Sequence, residues 1–261
     1  MSDLLRFAVL GDPIEHSLSP VIQTAALDHA GIAGSYVTVR AGEEELRVAV
    51  AGLLSGRWDG LNLTMPLKGL AFEISDALTE EASLSKSVNT LRRREDRVEG
   101  HSTDVVATRT ALQQPGFGPS HPVLVLGAGG AARAVLAGKS GRTAYLTARD
   151  PARAEALRTF LQDDVSVVPW GTAVAGAIVI NATPIGMHGE GMPARILPVA
   201  AGLIDLAYGA GDTPAVAQAR LTGLPVVDGI EFLVLQAAAS FEWWTGAPAP
   251  IEVMTSAARN I

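Results

Sequence analysis

The residue types with the clearest chemical use stand at Gly127-Ala128-Gly129-Gly130-Ala131-Ala132, a glycine-rich turn that follows the apolar run Val123–Leu126 and opens a helix-forming segment. Gly127 permits a tight turn, Gly129 lets a pyrophosphate approach the backbone, and Ala132 lets a helix pack closely on a strand. The unpaired N–H groups and positive potential of a helix start then favour a phosphate. A strand-to-helix turn without a ligand is the plain alternative. About 20 residues on, where NAD-binding folds place an acid for the ribose hydroxyls, stands Arg149. An arginine there can hold a 2′-phosphate by charge-assisted bonds, and Arg153, one helical turn later, can join it. The pair favours NADP over NAD, while the adjacent Asp150 argues the other way. Two arginines that merely coat a helix start are the structural alternative.

Two polar stretches in the first hundred residues exceed what a plain core requires. In Gly11-Asp12-Pro13-Ile14-Glu15-His16-Ser17-Leu18-Ser19-Pro20, Ser17 and Ser19 set hydroxyls two residues apart. Ser19 reads as a helix N-cap ahead of Pro20 at the first helical position, and a cap can also serve as a ligand. In Asn62-Leu63-Thr64-Met65-Pro66-Leu67-Lys68 a strand end presents an amide, a hydroxyl and an amine. Taken alone, Lys68 is an ordinary solvated lysine.

These groups need a scaffold, and the composition supplies one. The 261 residues, 48% hydrophobic and 18% charged, can bury a substantial core and suit two domains. The net charge of −7 repels phosphate backbones, and the one dense basic run, Arg92-Arg93-Arg94, is followed by Glu95-Asp96 and reads as a solvated hairpin end. No nucleic-acid partner is expected. The absence of cysteine excludes thiol chemistry and disulfides and fits a reducing compartment, so a cytoplasmic location is expected. No stretch approaches the apolar length of a membrane span. His16, His29, His101, His121 and His188 are scattered without ligand spacing, so no metal site is expected.

Strand-like residues 5–10, 36–40 and 58–64 alternate with helix-like residues 21–30 and 43–54, and residues 88–92 and 97–100 read as a hairpin. A helix over 104–112 leads to the Gly/Pro-rich segment 113–119, where a boundary is expected. Strands at 123–126, 143–147, 165–168, 177–181 and 203–206, with helices after Gly130 and over 151–161, imply a parallel sheet. Gly138 to Arg142 should cut the first of those helices short. Apolar helices over 230–244 and 251–259 close the chain and are expected to pack on the first domain.

The strings GDPIEHSLSP, GLNLTMPLK, SVNTL, STD, VLGAGGAAR, NATPIGM, LIDLAY and DGIEFLVLQAA resemble, in order and spacing, the successive motifs of the shikimate dehydrogenases, from about Phe7 to Gly246. The resemblance implies an α/β fold: an N-terminal α/β substrate-binding and catalytic domain (1–104 with 235–261) and an NADP-binding Rossmann domain with a parallel sheet (105–234). It implies Lys68 and Asp104 as the catalytic pair, Lys68 moving a proton at the C3 oxygen while hydride moves between C3 and the nicotinamide. Ser17, Ser19 and Thr64 match carboxylate-binding hydroxyls, with Tyr208 near the carboxylate. Asn62, Asn89 and Gln236 match the readers of the ring hydroxyls. The implied cofactor set is Gly127, Ala128, Gly129, Gly130, Ala131, Arg149, Arg153, Thr183, Met187, Leu206 and Gly229.

The expected reaction is the NADP-dependent, reversible reduction of 3-dehydroshikimate to shikimate, by a monomer or homodimer. Quinate as substrate, NAD as cofactor, or a non-catalytic dinucleotide sensor are the alternatives. The chain departs from the family pattern at four places: Ser102 stands where an asparagine is usual, Ala148-Arg149-Asp150 replaces Asn-Arg-Thr, Lys86 occupies a commonly small position, and Glu231-Phe232 replaces Gly-Met.

Overall fold

A computed structural model of the chain describes residues 4–161, 164–209 and 211–260, so the expected outer domain bounds at residues 1 and 261 lie outside the described residues. Contacts divide the chain into two units, Met1–Val106 with Val234–Ile261, and Ala107–Leu233.

The first unit begins β1 (Leu5–Gly11), α1 (Ser19–His29), β2 (Gly34–Arg40), α2 (Glu43–Leu54) and β3 (Gly60–Leu63). It continues with α3 (Lys68–Ile74), β4 (Ala77–Leu78), α4 (Glu80–Ser85) and the hairpin β5 (Thr90–Arg94) and β6 (Arg97–His101), and α5 (Thr103–Ala111) begins in it and ends in the second unit. Its sheet runs β2-β1-β3-β5-β6-β4. The β1 pairings with β2 and β3 are parallel, as helical crossovers require, and the β3-β5-β6 pairings are antiparallel. One core cluster joins Leu10, Leu46, Leu53, Leu61, Leu67, Val88 and Leu91. Local chemistry agrees with the fold: Glu43, Glu44 and Glu45 open α2, and Glu45 Oε2 accepts the Gly42 N–H at 2.8 Å.

The second unit comprises β7 (Val123–Leu126), α6 (Gly130–Gly138), β8 (Ala144–Thr147), α7 (Pro151–Leu161), β9 (Val165–Val167), β10 (Ile178–Asn181), β11 (Gly202–Asp205), α8 (Pro214–Leu221) and β12 (Val226–Val227). The order β12-β11-β10-β7-β8-β9 is parallel throughout. The chain runs outward from β7 through β8 to β9 and returns to β10 on the other side of β7. The strand order thus reverses between β7 and β10, the place where doubly wound sheets bind ligands at their strand ends. The helix α9 (Gly229–Thr245) begins in this unit and ends in the first, and α10 (Ile251–Arg259) packs on α1. No helix among the described residues is long and apolar enough to cross a membrane.

Three sequence expectations change. Ser19 is the first residue of α1 and not its cap: Leu18 holds the cap position without a side-chain bond, and the Ser17 hydroxyl accepts the Ser19 N–H at 3.3 Å. Arg92 is not a solvated hairpin end, because its guanidinium lies 4.0 Å from the Trp243 ring centroid and donates to Trp243 O at 2.6 Å and Glu99 Oε2 at 2.8 Å. Only Arg93 and Arg94 remain exposed. The Gly/Pro-rich segment 113–119 lies inside the second unit, where Arg142 donates to the carbonyls of Leu112, Phe117 and Gly118 and where Phe117 is buried. The short elements α3, α4, α8, β4 and β12 had no periodic pattern long enough to announce them.

Candidate active site

In the first unit the polar residues converge at the ends of β1, β3, β5 and β6. The exits of β1 and β3 are joined by backbone bonds, Thr64 N to Leu10 O at 2.9 Å and Asp12 N to Met65 O at 3.0 Å. Thr64 packs so tightly on Gly11 that a Cβ there would collide with its methyl group. Lys68 opens α3 and Asp104 lies in the first turn of α5. Their side chains meet at 2.5 Å, Nζ donating to Oδ2, with side-chain exposures of 19% and 10%.

Asp104 is held from its other side. Its Oδ1 accepts from Asn89 Nδ2 at 3.0 Å, while Asn89 Oδ1 accepts the N–H of Thr103 at 2.8 Å. Gln236 Oε1 lies 3.4 Å from both Asn89 Nδ2 and the Thr103 hydroxyl. The network continues inward: Ser240 Oγ lies 3.2 Å from Thr103 Oγ1, 3.0 Å from Thr90 Oγ1 and 3.0 Å from Asn62 Nδ2. Asn62 Nδ2 also donates to Thr90 Oγ1 at 2.9 Å, and Asn62 Oδ1 accepts from the Tyr36 hydroxyl at 2.7 Å. Burial holds that phenol well above its ordinary range, so Tyr36 stays a donor.

Lys68, Asp104, Asn89, Gln236 and Asn62 are therefore one hydrogen-bonded group. The amide of Asn62 is engaged by protein on both sides, which makes it a support for the group. Ser17 and half-buried Thr64 line neighbouring loops, with Ser19 buried beside them at the start of α1. Tyr208 belongs to the second unit, after β11. Thr103, Thr90, Ser240 and Tyr36 were missed from sequence. Ser240 had a usable signal, one turn after Gln236 on the same helix face, whereas Tyr36 reaches Asn62 only through the β1-centred sheet. The departure at Ser102 leaves a buried hydroxyl with no hydrogen-bond partner among the described residues. Lys86 sits in left-handed backbone at φ 47°, ψ 42°, ending α4.

In the second unit the turn after β7 fits a dinucleotide. Gly127 has φ +113°, and a Cβ there would lie 2.7 Å from Ala182 O, so only glycine serves. Gly129 is different: its backbone is ordinary extended chain at φ −99°, ψ −167°, and a Cβ would meet no atom within 4 Å. Neither strain nor packing demands that glycine, and the missing Cβ leaves the backbone there open to the close approach of a phosphate. Arg149 and Arg153 are exposed, with no ion pair or hydrogen bond among the described residues. Asp150, one residue before α7, turns its Oδ1 to the Ala152 N–H at 3.0 Å and so acts as a helix cap. Glu231 is likewise engaged, accepting from Gln114 Nε2 at 2.6 Å. Gly229 cannot carry a side chain, because a Cβ would collide with Ala207 O.

The chain is similar to known proteins over nearly its whole length. Residues 9–91 match the family model described as the shikimate dehydrogenase substrate binding domain, and residues 229–259 match the shikimate 5′-dehydrogenase C-terminal domain. A curated relative, the shikimate dehydrogenase (NADP(+)) of Anaeromyxobacter sp. (strain Fw109-5), is 38% identical over 96% of this chain and 94% of its own. The crystal structure of shikimate 5-dehydrogenase from Thermus thermophilus in complex with NADP(H) and shikimate superposes with TM-score 0.89 at 34% identity, covering 98% of this chain and 99% of that one. A 5-ketofructose reductase of Gluconobacter sp. strain CHM43 has TM-score 0.87 at 26% identity, covering 100% and 99%.

Proposed function

The chain belongs to the shikimate dehydrogenase family, and from that premise we propose that it catalyses the NADP-dependent, reversible reduction of 3-dehydroshikimate to shikimate, with Lys68 and Asp104 at the reacting oxygen. The fold alone does not choose the substrate, since a ketofructose reductase shares it. The observation that carries the reading is the Lys68–Asp104 pair, held by Asn89 within one polar group at the strand ends.

We assign substrate binding and catalysis to Met1–Val106 with Val234–Ile261, and NADP binding to Ala107–Leu233. Lys68 holds the proton that moves at the C3 oxygen. It donates that proton as the ketone is reduced and recovers it as the alcohol is oxidised. Asp104 keeps the amine in place, and Asn89 keeps Asp104 in place. Ser17, Ser19 and Thr64 supply hydroxyls for the carboxylate, and Asn89 and Gln236 read the ring hydroxyls. Such pairing rejects an analogue lacking one hydroxyl, because a buried partner is then left unsatisfied.

NADP, when bound, supplies or accepts the hydride. The Gly127–Ala131 turn would hold its pyrophosphate and Arg149 with Arg153 its 2′-phosphate, while Thr183, Met187, Leu206 and Gly229 would line its nicotinamide side. With a net charge of −7 the protein acts on small molecules and has no nucleic-acid partner; a cytoplasmic monomer or homodimer is the form proposed. The test is direct: purified protein with shikimate and NADP⁺ should produce NADPH absorbance, with a lower kcat/KM for quinate and for NAD⁺. Absence of turnover with either cofactor would overturn the reading.

A further inference from the structure

The last residues of β10 and β11, Asn181 and Asp205, are partners in parallel register, and their side chains meet, Asn181 Nδ2 donating to Asp205 Oδ1 at 2.8 Å. Asp205 is fully buried. Its Oδ1 also accepts the Ala207 N–H at 3.0 Å, and its Oδ2 accepts the Thr213 hydroxyl at 2.6 Å. Thr213 in turn caps α8 by accepting the Val216 N–H at 3.2 Å. Asn181 passes the hold forward into its own loop: Nδ2 donates to Ile185 O at 2.9 Å, and Oδ1 accepts the Thr183 hydroxyl at 2.6 Å and the Thr183 N–H at 3.2 Å. One carboxylate therefore joins the exits of two strands to the start of a helix. Burial disfavours its charge, and the donors around it offset that cost.

The sheet order indicates which part of a dinucleotide these loops meet. From the glycine turn after β7, β8 and Arg149 lie to one side, and β10 and β11 to the other. A cofactor with its pyrophosphate at the start of α6 and the 2′-phosphate of its adenosine ribose toward Arg149 has its nicotinamide half directed at the exits of β10 and β11. The packing there is tight: a Cβ on Gly127 would lie 3.0 Å from Thr183 Cγ2, and one on Gly186 2.9 Å from Thr213 Cβ.

We propose that Asp205 is a positioning residue for the nicotinamide half of the cofactor, fixing residues 181–187 and 206–208 without contacting the cofactor itself. The inference rests on the NADP reading above. An asparagine at 205 keeps the shape but replaces one acceptor with a donor, which then faces the N–H of Ala207 or the hydroxyl of Thr213. The bond to Asn181 and the bond to Thr213 cannot both persist unchanged.

The experiment compares wild type with Asp205→Asn, using three probes on the full chain: NADP⁺, adenosine 2′,5′-bisphosphate, which carries only the adenosine half, and shikimate without cofactor. The variant is expected to bind NADP⁺ about tenfold or more weakly, as loss of a charged hydrogen bond implies. Its affinities for the bisphosphate and for shikimate should be unchanged. Equal weakening of NADP⁺ and the bisphosphate, or no weakening of NADP⁺, overturns the proposal. Should Asp205→Asn lose its cooperative melt, Thr213→Val, which removes the Oδ2 donor and with it the side-chain cap of α8, carries the same test with the same two outcomes. Wild type that binds neither nucleotide overturns the cofactor reading and this inference together, whereas wild-type binding with an unaffected variant overturns the inference alone.

Discussion

Lys68 Nζ lies 2.5 Å from Asp104 Oδ2, and the other oxygen of that carboxylate accepts from Asn89 at 3.0 Å, so the amine is fixed by a group that is itself fixed. Removing the amine leaves Asn89, Thr103, Gln236 and Ser240 with their mutual bonds. Lys68→Ala should therefore lower kcat by about 10²–10⁴-fold, the usual share of a positioned proton donor. Shikimate affinity, measured by calorimetry without cofactor, should change little. A variant with near-normal kcat would remove Lys68 from the proton-transfer role.

Arg149 is exposed and uncommitted, while its neighbour Asp150 spends a carboxylate oxygen on the N–H of Ala152. The acid that argued for NAD in the sequence is thus occupied as a helix cap. Arg149→Ala should reduce the ratio of kcat/KM for NADP⁺ over NAD⁺ by about 10–100-fold, the range for one charged hydrogen bond. Asp150→Ala should instead cost about 1 kcal/mol of stability. Measuring both ratios settles the assignment: a cofactor preference that follows Asp150 and ignores Arg149 would reverse it.

What the sequence disclosed follows from how local each signal is. Gly127, the short helix stopped by Gly138–Arg142, and the parallel sheet of the second unit were legible because turn chemistry and alternation act within a few residues. Lys68 and Asp104 were legible only through ordered motifs, since 36 positions separate them and nothing local pairs them. The hydroxyl hub at Ser240 and the phenol of Tyr36 were not legible. Their partners Asn62 and Thr90 come from β3 and β5, and burial of a polar side chain is decided by packing that periodicity does not encode. Arg92 was misread for the same reason: the indole of Trp243 that receives it lies 151 positions away.

Lys86 occupies left-handed backbone, φ 47° and ψ 42°, where a side chain crowds the following carbonyl. Lys86→Gly is expected to raise stability by up to about 1 kcal/mol, the strain relieved exceeding the added freedom of the unfolded chain. Urea unfolding monitored by circular dichroism measures the change, and a clear loss would show that interactions of the lysine side chain outweigh the strain.

His101 ends β6, three residues before Asp104, with its ring against Trp243 at 5.1 Å and its Nδ1 2.8 Å from the Thr79 hydroxyl. That hydroxyl already accepts the Ala82 N–H, leaving its proton for a neutral ring nitrogen. Burial lowers the His101 pKa, Glu81 and Glu99 oppose the shift, and Arg92 adds to it. Because the folded state takes up the proton less readily than the unfolded state, the sign of the linkage is fixed. The contribution of His101 is present above the ordinary value of about 6.5 and is lost as pH falls toward the depressed folded value. His101→Gln, which cannot titrate there, should thus be most inferior to wild type at about pH 7.5, and the gap should narrow by about pH 5.5. Unfolding free energies of both proteins at the two pH values provide the check. A gap that widens on acidification would mean that Glu81 and Glu99 dominate and that the folded ring holds its proton more tightly than the unfolded one.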